Sequence, residues 1–158
     1  MTSVEVLARL GLLSWHVLLL GWEKGWVTRD DIIDYAVHLL AANKDQGDEN
    51  IAAIAAGENY SNDELKQFIT SLTKHREGGL LAENAGAEIE KWRLAQLISI
   101  NESELSEEEK LQRLQDVYAE FGYPEDMASC SIYSQDNIDP LLAMVRVITA
   151  LKEKFQTR

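Results

Sequence analysis

A chain of 158 residues, 46% of them hydrophobic, is long enough to bury a substantial core, and 27 acidic side chains against 15 Lys and Arg leave it with a formal charge of -12. That field opposes binding to DNA, RNA or an anionic membrane and favours a basic partner. A single cysteine, Cys130, rules out an internal disulfide, and two prolines with few β-branched runs leave little material for sheets. The expectation is one compact all-α domain over residues 1–158, of about seven helices arranged as successive helical hairpins, working in the reducing cytoplasm.

In chain order, Val4, Val6, Leu7 and Leu10 predict a short helix from Ser3, ended by Gly11 and packed on the tryptophan-bearing hairpin of residues 14–42. The first residues are apolar, but Glu5 and Arg9 interrupt them and no basic leader precedes them, so a signal peptide is not expected. No apolar run approaches the length of a membrane span. Residues 14–42 hold three of the four tryptophans, Trp15, Trp22 and Trp26, and read as the folding centre. Ser14 is a suitable N-cap, Trp15, Leu18, Leu19 and Trp22 recur at helical spacing, and Gly25 sits where a left-handed residue would end the helix. Thr28 caps the next helix, in which Ile32, Ile33, Tyr35, Ala36, Leu39 and Leu40 form an apolar stripe while Asp30, Asp34 and His38 point away. The two helices are expected to fold back as a hairpin around Gly25.

A polar stretch comes next at residues 43–50, then a small helix with a mostly alanine face that ends at Gly57. Ser61 with Glu64 reads as a capping box opening a helix to about residue 76, stopped by Gly78 and Gly79. Residues 80–100 read as a long helix with Leu81, Ala85, Ile89, Trp92, Ala95 and Leu97 on one face, and Gly86 marks close packing or a break. Ser106 with Glu109 forms a second capping box, opening a helix with Leu111, Leu114, Val117, Tyr118 and Phe121 inward and Gly122 at its end. Residues 123–137 combine Pro124, serines and two tyrosines and read as a loop with one helical turn. Asp139 and Pro140 then open a last helix whose stripe is Leu141, Leu142, Val145, Ile148, Leu151 and Phe155.

The chemistry-bearing residues are sparse. His16, His38 and His75 are isolated, no metal-ligand or phosphate-loop spacing occurs, and Cys130 lies alone in a serine-rich loop. His16 and His38, on partly apolar faces, suit packing better than ligation. No cofactor, metal or catalytic residue is therefore assigned, and the protein is not expected to be an enzyme; a concave site joining His16 or His38 to two carboxylates would revive that reading. The charge is more informative. Residues 101–126 carry nine acids against Lys110 and Arg113, and Glu107, Glu108 and Glu109 occupy a helical first turn, where carboxylates suit the dipole in any protein. The surface reads either as a solvated face or as a docking face. On the docking reading its members are Glu102, Glu104, Glu107, Glu108, Glu109, Tyr118, Tyr123 and Asp126, with Asp45, Asp48 and Glu49 as a weaker extension and Tyr133 nearby.

The run WHVLLLGWEKGWVTRDDIIDYA, with the later DVYAEFGYPED, resembles a family of small, uncharacterised bacterial proteins. The likeness extends over most of the chain, although its specific parts are those two segments. That family looks like a source of immunity proteins in contact-dependent inhibition and related toxin systems. The resemblance implies a heteromeric complex with a cognate toxin domain of basic surface, such as a nuclease, and neutralisation by occluding its active site or holding it inactive. It transfers no active-site residue. An acidic helical adaptor or secretion chaperone is the alternative, with a large exposed apolar patch as its signature.

Overall fold

A computed structural model describes residues 2–76 and 81–156. Among these residues there are eight α-helices and two 3-10 turns, and no strand, so the all-α expectation holds and the expected count of about seven helices is approximate. The helices are α1 (Ser3–Leu10), α2 (Trp15–Lys24), α3 (Arg29–Ala41), α4 (Glu49–Ala55), α5 (Asn62–Arg76), α6 (Leu81–Asn101), α7 (Glu107–Glu120) and α8 (Pro140–Gln156). The 3-10 turns are Gly57–Asn59 and Glu125–Cys130. Gly78 and Gly79, and the side chains of His75, Leu81 and Ala85, lie outside the described residues. Contacts divide the chain into two units, Leu12–Ile89 and a discontinuous one made of Met1–Gly11 and Glu90–Arg158. α1 groups with the residues after 89.

In the unit of residues 12–89, local signals set the helix ends. Ser14 Oγ accepts from the Val17 N–H at 3.2 Å, and Gly25, at a φ of 79°, donates to the Trp22 carbonyl. Thr28 and Asp31 form a reciprocal capping box, as do Ser61 and Glu64. α2 buries every residue from Trp15 to Gly21, the mark of a helix surrounded by protein on all sides. α2 packs on α5, α3 on α4 and α4 on α5. α2 and α3 meet where the Trp15 and Tyr35 rings stack edge to face, 5.0 Å between centroids.

α4 buries Ile51 and Ile54 instead of an alanine face. The close approach lies one step later, at Gly57, where a Cβ would come within 2.7 Å of Ile33 Cγ1. Arg29 holds that approach in place: its guanidinium donates to the carbonyls of Gly57 and Tyr60 and to Asn62 Oδ1. This one side chain joins the start of α3 to residues 57–62.

In the other unit, the core is built from Val6 and Leu7, from Trp92, Leu94, Leu97 and Ile98 of α6, from Leu114 and Val117 of α7, and from Met144, Ile148, Leu151 and Phe155 of α8, all buried. α8 therefore departs from its expected stripe, since Leu142 and Val145 are 48% and 40% exposed while Ala143, Met144 and Val147 face inward. Ion pairs link distant segments, among them Arg9 with Glu102 at 2.6 Å, Arg93 with Asp126 at 2.7 Å, and Lys154 with Glu90 at 2.7 Å. α6 passes through Gly86 without a break, and a Cβ there would meet nothing within 4 Å, so that glycine marks neither a kink nor a close contact.

Candidate protein-docking surface

The acidic segment begins where α6 ends. Glu102 forms a two-pronged bond with Arg9, whose Nη1 and Nη2 donate to Oε1 and Oε2 at 3.1 and 2.6 Å. That hydrogen bond holds the Glu102 carboxyl below its ordinary value and raises Arg9 further. Glu102 is therefore a tether for α1, and its charge is largely neutralised.

Ser106 caps α7 by accepting from the Glu109 N–H at 3.2 Å. Only half of the expected capping box forms, because the Glu109 carboxylate accepts from the Ser106 hydroxyl and not from its backbone. Glu104, Glu107 and Glu108 are exposed and have no ion-pair partner among the described residues. These three carboxylates form the uncommitted part of the predicted face, and their field is open to a cation from outside.

The tyrosines flank the far end of α7. Tyr118 and Tyr123 stack edge to face with centroids 5.1 Å apart, Tyr118 half-buried and Tyr123 64% exposed. Tyr123 holds a left-handed backbone, φ 55°, directly after Gly122 at 77°. Its N–H donates to the Tyr118 carbonyl at 2.9 Å, which fixes the exposed ring against the helix end.

Asp126 has a structural duty. Its Oδ1 accepts from Nη1 of Arg93, a guanidinium only 7% exposed on α6, so the carboxylate compensates a buried charge. Asp45, Asp48 and Glu49 belong to the other unit and are mostly local turn chemistry: Asp45 accepts from the Gly47 N–H, and Asp48 caps α4 by accepting from Asn50. Glu49 is exposed in the first turn of α4.

The Gln115 clamp and the exposure of Ile132 were missed by the sequence reading, which placed Tyr133 near the docking face. Gln115, half-buried on α7, donates to the Cys130 carbonyl at 2.8 Å and accepts from the Ile132 N–H at 3.2 Å, so one amide clamps both sides of the loop. Beyond that clamp Ile132 and Tyr133 are 49% and 84% exposed. Nothing in the spacing of Gln115 announces the clamp; the exposed pair could have been suspected from a β-branched and an aromatic residue set among serines.

The remaining chemistry is muted. Cys130 is buried, and burial, helped by the nearby Asp126 charge, pushes its thiol up to about 11. His16 is buried on α2, but His38 is exposed in the last turn of α3, so its expected packing role is corrected: it sits in water at the negative end of the helix. Among the described residues no three His, Cys, Asp or Glu side chains converge to hold a metal ion, and no helix is long and apolar enough to cross a membrane. One open concavity of about 320 Å³ is lined by Trp15, Tyr35, Leu39, Lys44 and Gln46.

With this geometry in view, comparison places the chain. Residues 6–154 match the family described as an uncharacterized protein conserved in bacteria, DUF2247, and the chain belongs to that family. No curated protein and no solved structure matches it.

Proposed function

We propose that this protein is an immunity protein, which binds a cognate bacterial toxin with a basic surface, most simply a nuclease, and neutralises it without turnover. The observation that carries the reading is the set of exposed carboxylates Glu104, Glu107 and Glu108, uncommitted to any cation among the described residues, on a chain of net charge -12. A nuclease must present cationic groups to the phosphate backbone of its substrate, and carboxylates on the start of α7 and the loop before it can occupy the same field. The tryptophan segment and DVYAEFGYPED resemble a family of small bacterial proteins that looks like a source of immunity proteins, which supports the same reading. Inhibition is then steric and electrostatic, and it takes place in the cytoplasm where the toxin acts.

Glu102 and Asp126 contribute to the field but serve first as internal tethers, so the docking contribution concentrates on Glu104, Glu107, Glu108 and Tyr123. Co-expression tests the reading. The C-terminal domain of the toxin in the adjoining reading frame should kill cells alone and be tolerated with this protein, and the two should co-purify. Unrelieved toxicity with both proteins soluble would overturn it.

The adaptor reading is favoured by one observation, the outward Leu142 and Val145, three residues apart on one face of α8. An adaptor would bind an amphipathic peptide there. Replacing both by Lys should then abolish binding, whereas an immunity complex centred on α7 would survive the change.

A further inference from the structure

The turn at residues 131–134 has a construction its sequence does not favour. The Ser134 N–H donates to the Ser131 carbonyl at 3.1 Å, which closes a β-turn whose two central residues are Ile132 and Tyr133. Those positions ordinarily take Pro, Asn, Asp or Gly, and a β-branched residue beside an aromatic one gains nothing from a turn apex in water. Both side chains nevertheless stand out, Tyr133 at 84% exposure.

The surroundings brace the turn. Gln115 clamps the Cys130 carbonyl and the Ile132 N–H from α7, Ser131 Oγ accepts from the Tyr133 N–H at 3.0 Å, and Ser129 Oγ donates to Asp136 Oδ2 at 2.5 Å across the base. Asp136 also accepts from the Ile138 N–H. The result is a pre-ordered apolar tip, which loses little conformational freedom when it enters a partner. Its setting is acidic: residues 123–139 contain Glu125, Asp126, Asp136 and Asp139 and no Lys or Arg.

We infer that this tip is the anchor of the partner interface, with Ile132 and Tyr133 entering an apolar pocket on a folded, basic protein whose cations face Glu125, Asp136 and Asp139. The occupant is set by charge: a second copy of a chain at -12 would bring like charges together around the tip, while a basic rim would be attracted to it. This rests on the proposal that the protein binds a basic toxin, and it supplies the short-range part of recognition that carboxylates alone do not. Tyrosine is suited to such an anchor because it offers a large contact area and a hydroxyl with few rotors.

The test uses the full chain and the toxin domain of the adjoining reading frame, with binding followed kinetically. Tyr133→Ala should weaken the complex ~30-fold or more, chiefly through faster dissociation, and Ile132→Ala ~10-fold, with the thermal midpoint of Tyr133→Ala unchanged because that side chain is 84% exposed. Gln115→Ala should weaken it several-fold with the tip intact in composition, while amide exchange at Ile132 rises. Binding of Tyr133→Ala within about 2-fold of the parent would overturn the anchor and leave the immunity reading standing. Absence of any complex with the parent protein would overturn both. A dimer of the parent that Tyr133→Ala dissolves, at unchanged toxin affinity, would assign the tip to a second copy and also overturn the inference.

Discussion

The Arg93 guanidinium, almost wholly buried on α6, meets Asp126 Oδ1 at 2.7 Å while Asp126 itself is half in water. The pair joins α6 to the 3-10 turn that precedes the exposed tyrosine tip. Removing the carboxylate leaves a buried cation to be compensated by water or not at all. Asp126→Ala is expected to cost about 2–3 kcal/mol, less than a fully buried pair because one partner is already solvated. Denaturant unfolding measures it. A loss below about 0.5 kcal/mol, the scale of an exposed pair, would show that Arg93 is adequately satisfied without Asp126.

The Arg9 and Glu102 bond makes stability depend on pH in a defined direction. Because the folded Glu102 carboxyl lies below its ordinary 4.5, its contribution is complete above that value and disappears as pH falls through the folded one. Between about pH 5 and pH 2 the parent protein should therefore lose more thermal stability than Glu102→Gln, which has no such bond to lose. Parallel acid profiles for the two proteins would contradict this.

Cys130 should be inert while the protein is folded. With the thiol buried and pushed up to about 11, almost no thiolate is present near neutrality, so alkylation in native buffer should be negligible and become rapid in denaturant. Rapid native labelling, read by intact mass, would mean that the 3-10 turn opens readily.

Gly57 tests the close packing of the other unit. A Cβ there would lie within 2.7 Å of Ile33 Cγ1, so Gly57→Ala should cost about 1–3 kcal/mol in chemical unfolding. Rescue by adding Ile33→Ala, which removes both side-chain carbons that the new Cβ would meet, separates this overlap from a backbone effect.

Helix boundaries were legible because their causes are local. Ser14, Gly25, Thr28, the Ser61 and Glu64 pair, and Asp139 with Pro140 act within a few residues of themselves and are readable from sequence alone. What a helix packs against is decided by partners far along the chain, so the packing of α2 on α5 was not readable from the residues around it. Arg29 reads as a minor exception in an acidic first turn, and its role is visible only once the carbonyls of Gly57 and Tyr60 are brought to it. On α8, residues 141–145 are all apolar, so periodicity could not say which side faces inward, and Leu142 and Val145 were assigned to the wrong one. At the acidic face, composition revealed the charge, but not that Glu102 and Asp126 are engaged with Arg9 and Arg93.

The most direct measurement is the salt dependence of association between this protein and the toxin domain of the adjoining reading frame, for the parent chain and for the triple variant Glu104→Gln, Glu107→Gln, Glu108→Gln. Glutamine keeps the helix propensity of α7 and removes only charge. The account predicts a complex whose association slows steeply with salt, an association rate for the variant that is ~10-fold lower at low salt, and convergence of the two at high salt. Identical rates for both proteins at every salt concentration would contradict it.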